Sequence, residues 1–229
     1  MGLPNGVHHL AVCTKDIKQQ IEFFTQVCGM ELVALYWMHG VKNTFHGFLK
    51  LNDSSSIAFV QSAEIGEIQP IKGVSHPAWT ASPVAAGVMQ HLALNVDTEA
   101  DLMTMRDRVR EHGHWVMGPI DHGFCKSIYF AGPEGMMLEF STSEGNSIDA
   151  EAWIDPEVVK LAGISAADLE RYKAPAPYES KGGKVQQVDY EKSKLKMEFP
   201  PENQAVLKMT DEQVTARLSE TTPPVQVSR

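Results

Sequence analysis

The sequence predicts an α+β fold in which two βαβββ modules form a cupped mixed sheet, followed by a C-terminal extension. Three observations predict it. Two segments that lie 82 residues apart open alike, each runs into an amphipathic helix that ends at a glycine, and each closes with a strand, a tight turn and a strand. Because a single module would leave one sheet face bare, the two modules are expected to pair.

The first module is predicted over residues 5–61. Residues 9–12 read as a short apolar strand that starts with His9. The helix that follows is predicted from apolar residues at helical spacing, which are Ile17, Ile21, Phe24 and Cys28. Gly29 supplies its C-terminal stop, and residues 30–37 form the next strand.

The second module is predicted over residues 89–143 and repeats this order. Thr98 and Asp101 resemble a capping box at the start of its helix. The apolar stripe of that helix consists of Leu102, Met105 and Val109, and the helix ends at Gly113. Residues 114–117 form the following strand. When the closing strands are matched, Ala58 of the first module takes the place of Glu139 in the second.

The linker, residues 62–88, is rich in proline and long for a simple connection, and long loops often cover sites. Trp79 either closes one side of a cavity or anchors a surface linker. The extension, residues 144–229, begins with two short helices, predicted after Asp155 and after Ser165. Beyond about Lys173 the composition is typical of a segment that wraps the surface, packs on another subunit or is disordered.

Composition restricts the classes of function. The chain has 229 residues, 43% of them hydrophobic, and a formal net charge of −9, which argues against nucleic-acid binding. No apolar run approaches a membrane span, and the N-terminus lacks the pattern of a secretory signal. Three unpaired cysteines suit a reducing compartment, so a cytoplasmic location is expected.

His9, His91 and Glu139 are the predicted ligands of a metal ion. The two histidines occupy equivalent places in the repeat, and a carboxylate inside the apolar run that contains Glu139 is costly to bury without a cation. Strand alternation lets only one of His8 and His9 face the cup, and the match between the modules selects His9. Two imidazoles and one carboxylate favour Fe(II), with Mn(II) and Zn(II) as alternatives.

These residues resemble the vicinal oxygen chelate superfamily, which includes glyoxalase I, epimerases, fosfomycin-resistance enzymes and type I extradiol dioxygenases. The resemblance covers residues 5–143. The dioxygenase pattern is matched in order by His122, Ile128-Tyr129, Gly132-Pro133, Gly135 and Glu139. Gly132 departs from it, since an acidic, amide or small non-glycine residue is usual there.

The resemblance implies an Fe(II)-dependent enzyme that cleaves a catechol- or hydroquinone-like ring with O2. It implies that Glu139 binds the metal, Tyr129 contacts a substrate oxygen and His122 hydrogen-bonds the substrate. His46 is the first candidate for a further acid–base histidine, with His39 and His76 as alternatives, and a homodimer is expected by analogy.

Other readings remain open at this point. They are a glyoxalase-like lyase or epimerase, a resistance transferase, and a small-molecule binding protein. The lyase reading requires an additional Glu or Gln from the first module. Ala58 argues against it, and Gln61 is predicted to face the other side of the strand.

Overall fold

The computed structural model describes residues 3–226 and confirms the α+β class and the order of the two modules. The strands are β1 (His9–Cys13), β2 (Glu31–Trp37), β3 (Phe45–Asn52), β4 (Ser55–Gln61), β5 (Leu92–Asn95), β6 (Val116–Asp121), β7 (Lys126–Ala131) and β8 (Met137–Thr142). The α-helices are α1 (Ile17–Gln26), α2 (Ala63–Glu67), α3 (Glu99–Glu111), α4 (Ala150–Trp153), α5 (Pro156–Leu161), α6 (Ala166–Lys173) and α7 (Asp211–Leu218). Three 3₁₀ turns cover Pro133–Gly135, Tyr190–Lys192 and Pro201–Lys208.

The strands form two four-stranded mixed sheets of identical topology. Their orders are β1-β4-β3-β2 and β5-β8-β7-β6. In each sheet the first strand pairs in parallel with the last, and the other pairs are antiparallel. The duplication predicted from the sequence is therefore a duplication of strand order as well.

The residues predicted to begin and end the two long helices lie at the ends of α1 and α3. Asp16 caps α1 by accepting a hydrogen bond from the Gln19 amide at 3.0 Å. Thr98 and Asp101 form the reciprocal capping box at the start of α3. Gly29 and Gly113, which follow the two helices, have φ values of +75° and +82°, a region that glycine enters without a steric penalty.

The core lies between these two helices and one face of the sheets. Phe24 of α1 packs on Phe59 of β4 with ring centroids 5.2 Å apart, and both side chains are fully buried. Leu102 of α3 and Leu138 of β8 are buried in the same cluster. Burial of one such side chain stabilises the fold by about 1.5–3 kcal/mol. The opposite faces of the sheets stay available for polar residues.

Hydrogen bonds connect the two modules. Glu134, in the turn between β7 and β8, accepts from the Lys15 amide at 3.0 Å and from the Gln20 side chain at 2.9 Å. Arg108 of α3 donates to the carbonyl of Gln26, at the end of α1, at 2.7 Å. The bond from Lys15 to Glu134 places the C-terminal end of β1 beside the β7–β8 turn.

Some boundaries differ from the predicted ones. β5 begins one residue after His91, and β6 begins two residues later than predicted and runs to Asp121. The linker contains α2, which the sequence patterns do not predict. Both helices expected at the start of the extension are present as α5 and α6. No helix within residues 3–226 is long and apolar enough to cross a membrane.

The chain divides into two compact units. One contains residues 6–38 and 43–164, and so holds both modules together with α4 and α5. The other contains residues 39–42 with the described parts of 1–5 and 165–229, including α6 and α7. Every residue of the predicted site lies in the first unit.

Candidate functional site

Strand register puts Glu139 on the face of the second sheet that is turned away from the core. Glu139 pairs with Ala93 on β5 and with Tyr129 on β7, and paired residues point to the same side of a sheet. Its neighbours Leu138 and Phe140 are buried in the core on the other side. Tyr129 and Glu139 therefore share one face.

His91 and Glu139 form the centre of this face. The Nε2 atom of His91 lies 2.9 Å from Oε2 of Glu139, whose side chain is only 6% exposed. The Nδ1 atom of His91 contacts the side-chain oxygen of Gln90. The Gln90 amide in turn donates to the carbonyl of Thr80 at 2.6 Å. A partner on Nδ1 orients an imidazole so that Nε2 presents toward a ligand, as around metal-bound histidines.

The linker thus supports the site through its backbone. Gln90 reaches the carbonyls of Thr80 and Ser82, while the side chain of Trp79 is exposed. The exposure of Trp79 agrees with an anchor in a surface linker rather than with the wall of a cavity.

Tyr129 and His122 lie next to His91 and Glu139, and these four residues form a polar row along the face. The Tyr129 hydroxyl lies 3.0 Å from Nε2 of His122. The ring of Tyr129 also meets the His91 ring edge-on, with centroids 6.2 Å apart. Burial raises the pKa of the Tyr129 hydroxyl, and the charge of Glu139 raises it further. Tyr129 is therefore a neutral hydrogen-bond donor at neutral pH.

The turn that carries His122 is held from outside the modules. Within the turn, the His122 amide donates to the Cys125 carbonyl at 2.8 Å. Trp153 of α4 packs edge-to-face on Phe124 with centroids 4.9 Å apart. A Cβ on Gly123 would lie 3.0 Å from the Trp153 ring. Sequence reasoning did not find Trp153, because no local pattern links a residue of the extension to this turn.

The corresponding face of the first sheet carries aromatic groups. The rings of His9 and Phe48 are 5.6 Å apart, and those of Phe48 and His46 are 4.5 Å apart. The Tyr36 hydroxyl lies 3.4 Å from Nδ1 of His46. Nδ1 of His9 also lies 2.9 Å from Nδ1 of the neighbouring His8. His9 and His46 therefore belong to one cluster.

The registers of the two sheets correspond residue by residue. Ala58 pairs with Ala11, two positions after His9, as Glu139 pairs with Ala93, two positions after His91. Phe48 pairs with Ala58, as Tyr129 pairs with Glu139. The first module thus has a methyl group and a phenyl ring where the second has a carboxylate and a phenol.

His9 does not join His91 and Glu139 within one chain. In the described part of the chain, no three His, Cys, Asp or Glu residues lie close enough together to hold a metal ion. The direction of β1 explains the separation. Its C-terminal end meets the β7–β8 turn, close to where β5 and β8 begin, whereas His9 lies four residues back. At the rise of a strand that is about 13 Å.

Gln61 is occupied by a structural contact. Its side-chain oxygen accepts a hydrogen bond from the Ile17 amide, at the start of α1, at 2.7 Å. This places the Gln61 side chain on the helix side of the sheet, as strand alternation predicted.

A family model described as the glyoxalase/bleomycin resistance protein/dioxygenase superfamily matches residues 6–140. A search of curated proteins finds no match.

Solved structures show a similar fold. A glyoxylase/bleomycin resistance protein/dioxygenase domain from Frankia sp. EAN1pec is 15% identical, with a TM-score of 0.50 over 62% of this chain and 100% of that one. An integron cassette protein from the mobile metagenome of the Halifax Harbour sewage outfall is 20% identical, with a TM-score of 0.45 over 61% and 99%. TnmS3, an antibiotic binding protein from Streptomyces sp. CB03234, is 16% identical, with a TM-score of 0.45 over 63% and 100%. The similarity to the Frankia domain shows the fold alone, and the two lower scores support no further argument.

Proposed function

Since this chain belongs to the glyoxalase/bleomycin resistance protein/dioxygenase superfamily, we propose that it is a metal-dependent dioxygenase that cleaves a small catechol- or hydroquinone-like ring with O2. One observation carries the proposal. His91, Glu139, Tyr129 and His122 follow one another along a single sheet face, joined by contacts of 2.9 Å and 3.0 Å and one ring contact. His91 and Glu139 would be metal ligands. Tyr129 would donate a hydrogen bond to the substrate, and His122 would exchange a proton.

The donor set fits two of the three coordinating groups that a facial triad requires. An oriented imidazole nitrogen and a nearly buried carboxylate oxygen meet at 2.9 Å, and a cation would neutralise the carboxylate that burial disfavours. When bound, Fe(II) would supply Lewis acidity toward a substrate hydroxyl and redox chemistry toward O2. His91 and Glu139 would hold it, with His9 as the third ligand.

We infer that this third ligand comes from a second copy of the chain. His9 lies at the end of β1 that points away from the β7–β8 turn, so it cannot reach His91 in its own chain without a change of fold. A homodimer in which the first module of one copy faces the second module of the other would complete the triad. His46 shares the cluster of His9, so the same copy would deliver both histidines.

Tyr129 and His122 have separate roles in this proposal. Tyr129 remains protonated because its pKa is raised, and it donates a hydrogen bond to a substrate oxygen. His122 lies within proton-transfer distance of that hydroxyl and can take or return a proton during turnover. The glyoxalase-like lyase has less support, because Ala58 offers no ligand and Gln61 is bonded to α1.

The activity is tested with protein loaded anaerobically with Fe(II). A panel of catechols and hydroquinones is added, O2 is admitted, and O2 uptake and coloured ring-fission products are recorded. Turnover of at least one substrate is expected. Glu139→Ala should lose the metal, whereas Tyr129→Phe should keep it and turn over more slowly. Retention of metal without O2 uptake by any member of the panel would refute ring cleavage.

The shared site is tested by mixing inactive variants. His9→Ala and Glu139→Ala should each lose metal and activity as pure proteins. Refolded together, they should recover both, because one of the two sites in a mixed dimer contains His9 from one chain and the His91–Glu139 pair from the other. His91→Ala mixed with Glu139→Ala is the matched control and should recover nothing. Absence of recovery in the first mixture would show that the triad is not shared in this way.

A further inference from the structure

A cavity of about 250 Å³ lies at the junction of the modules, and none of the four residues of the polar row lines it. Its walls come from three parts of the first unit. The end of β1 contributes Cys13 and Lys15, the segment after β4 contributes Ile65 and Ile68, and the β7–β8 turn contributes Glu134. The same linker also contributes His76.

We propose that this cavity is a second small-molecule site, which takes a small and largely apolar carboxylate such as a single-ring aromatic acid. The site is separate from the proposed metal centre, and it does not depend on that proposal.

The size and lining of the cavity select a small and mainly apolar ligand. A volume of about 250 Å³ is near the lower end of small-molecule pockets and is too small for a helix or strand of a partner protein. The exposed surface of the lining is mainly apolar and includes two isoleucines and Pro70, and the polar residues of the lining are Thr14, Lys15, Gln69, Ser75, His76 and Glu134. This combination is typical of sites in which apolar contact supplies affinity and polar groups fix orientation.

The charges of the lining select an anionic ligand. Both oxygens of Glu134, the one carboxylate of the lining, already accept hydrogen bonds, from the Lys15 amide and from Gln20. Nδ1 of His76 lies 2.9 Å from the Ser75 hydroxyl, which leaves Nε2 as its other polar atom. Among the described residues Lys15 forms no ion pair with its ammonium group. An ammonium and an imidazole thus remain to bind a carboxylate.

Cys13 provides a direct measurement of occupancy, because it lines the cavity and is exposed. The rate of its alkylation by iodoacetamide is measured by mass spectrometry on the metal-free protein, with increasing benzoate. At a benzoate concentration ten times the dissociation constant, alkylation of Cys13 should slow about tenfold. Cys125, which does not line the cavity, is the internal control and should react at an unchanged rate.

Two pairs of variants make the test specific. Ile65→Trp, at a half-buried position of the lining, should fill the cavity and abolish protection by benzoate, whereas Ile71→Trp, at an exposed position outside the lining, should not. Lys15→Met should weaken protection, whereas Lys18→Met, also outside the lining, should leave it unchanged. Benzylamine should protect poorly.

Equal protection by benzoate and benzylamine, or full protection in Ile65→Trp, would overturn the proposal, as would no protection at all. The measurement needs neither metal nor O2. Benzoate binding in the cavity would therefore stand even if the protein had no dioxygenase activity. A failure to bind benzoate would, in turn, not count against the proposed metal centre.

Discussion

Glu134 illustrates how one residue fixes the junction of the modules. Its φ of +57° lies in the left-handed region, and its two oxygens bind groups of the other module. One of these groups is the amide of Gln20, a fully buried side chain. The strain at this position is therefore offset by hydrogen bonds to a charged acceptor.

Glu134→Ala is expected to lower the free energy of unfolding by about 2–3 kcal/mol, because it leaves the buried Gln20 amide without its acceptor. Urea denaturation followed by circular dichroism measures the loss. Glu134→Gln keeps an oxygen acceptor and should lose less, and Glu64→Ala, in α2, is a surface control. A change below about 0.5 kcal/mol, the level of ordinary surface substitutions, would contradict the role given to Glu134.

The titration of Tyr129 provides a test of the polar row. Since burial and then the Glu139 charge raise its pKa, the phenol should ionise above the ordinary value of about 10. Its contribution to stability is complete below that ordinary value and is lost as the pH rises through the raised pKa. The ionisation of Tyr129 is measured as the difference in phenolate absorbance between the native protein and Tyr129→Phe while the pH is raised.

In Glu139→Gln the ionisation of Tyr129 should move down toward the ordinary value, because the negative charge of Glu139, which raises the pKa of the phenol, is removed. A Tyr129 step at or below the ordinary value in the native protein would contradict the placement of its hydroxyl beside Glu139.

At the scale of elements, the α4 helix supports the turn between β6 and β7. Trp153 packs on Phe124 and closes on Gly123, next to His122. Trp153→Ala should therefore loosen the turn, slow turnover several-fold and leave metal binding unchanged. It should also lower stability by about 1–3 kcal/mol, since the indole is only half buried.

Trp115→Ala is the matched control, because Trp115 is a 77% exposed tryptophan just before β6. It should affect neither quantity. The histidine signals of an NMR spectrum report the environment of His122 directly. If they did not change in Trp153→Ala, the helix would not position the turn.

The elements predicted from the sequence are those whose signals are local. The capping box of Thr98 and Asp101, the stop glycines and the strand–turn–strand endings are short patterns, and the structure contains all of them. Their spacing also predicted that Ala58 corresponds to Glu139, as the registers confirm. The short helices α2 and α4 were not predicted, because four or five residues carry too little periodicity and such helices depend on their surroundings.

At the scale of the whole molecule, the sequence could not predict how the modules face each other. A repeat establishes that His9 and His91 are equivalent, but equivalence does not determine which pair of modules forms a common cavity. That choice depends on the packing of α1 and α3 and on the contact of Lys15 with Glu134. Sequence patterns therefore could not predict where His9 lies relative to His91 and Glu139. The His91–Glu139 contact, in contrast, follows from the register of one sheet.

Contacts within the chain predict that the second unit is dispensable for the site. All residues of the polar row and their supports, including Trp153, lie in the unit of residues 6–38 and 43–164. A chain that ends after Ile164 should therefore unfold cooperatively and keep the His122–Tyr129 contact, as judged by thermal denaturation and NMR.

A chain that ends after Ser147 also lacks α4 and should show the disturbed His122 environment expected for Trp153→Ala. If truncation after Ile164 already disturbed His122, residues 165–229 would have a direct role in shaping the site.

The alanine at position 58 has a numerical consequence. Of the two matched positions on the closing strands only the one in the second module has a carboxylate, so under the proposed metal site each polypeptide would supply one carboxylate ligand. A pair of chains would then be limited to two ions rather than four. In the first module only His9 would be a ligand, so substitutions of the aromatic residues around it that leave His9 in place would alter the substrate pocket without removing a ligand.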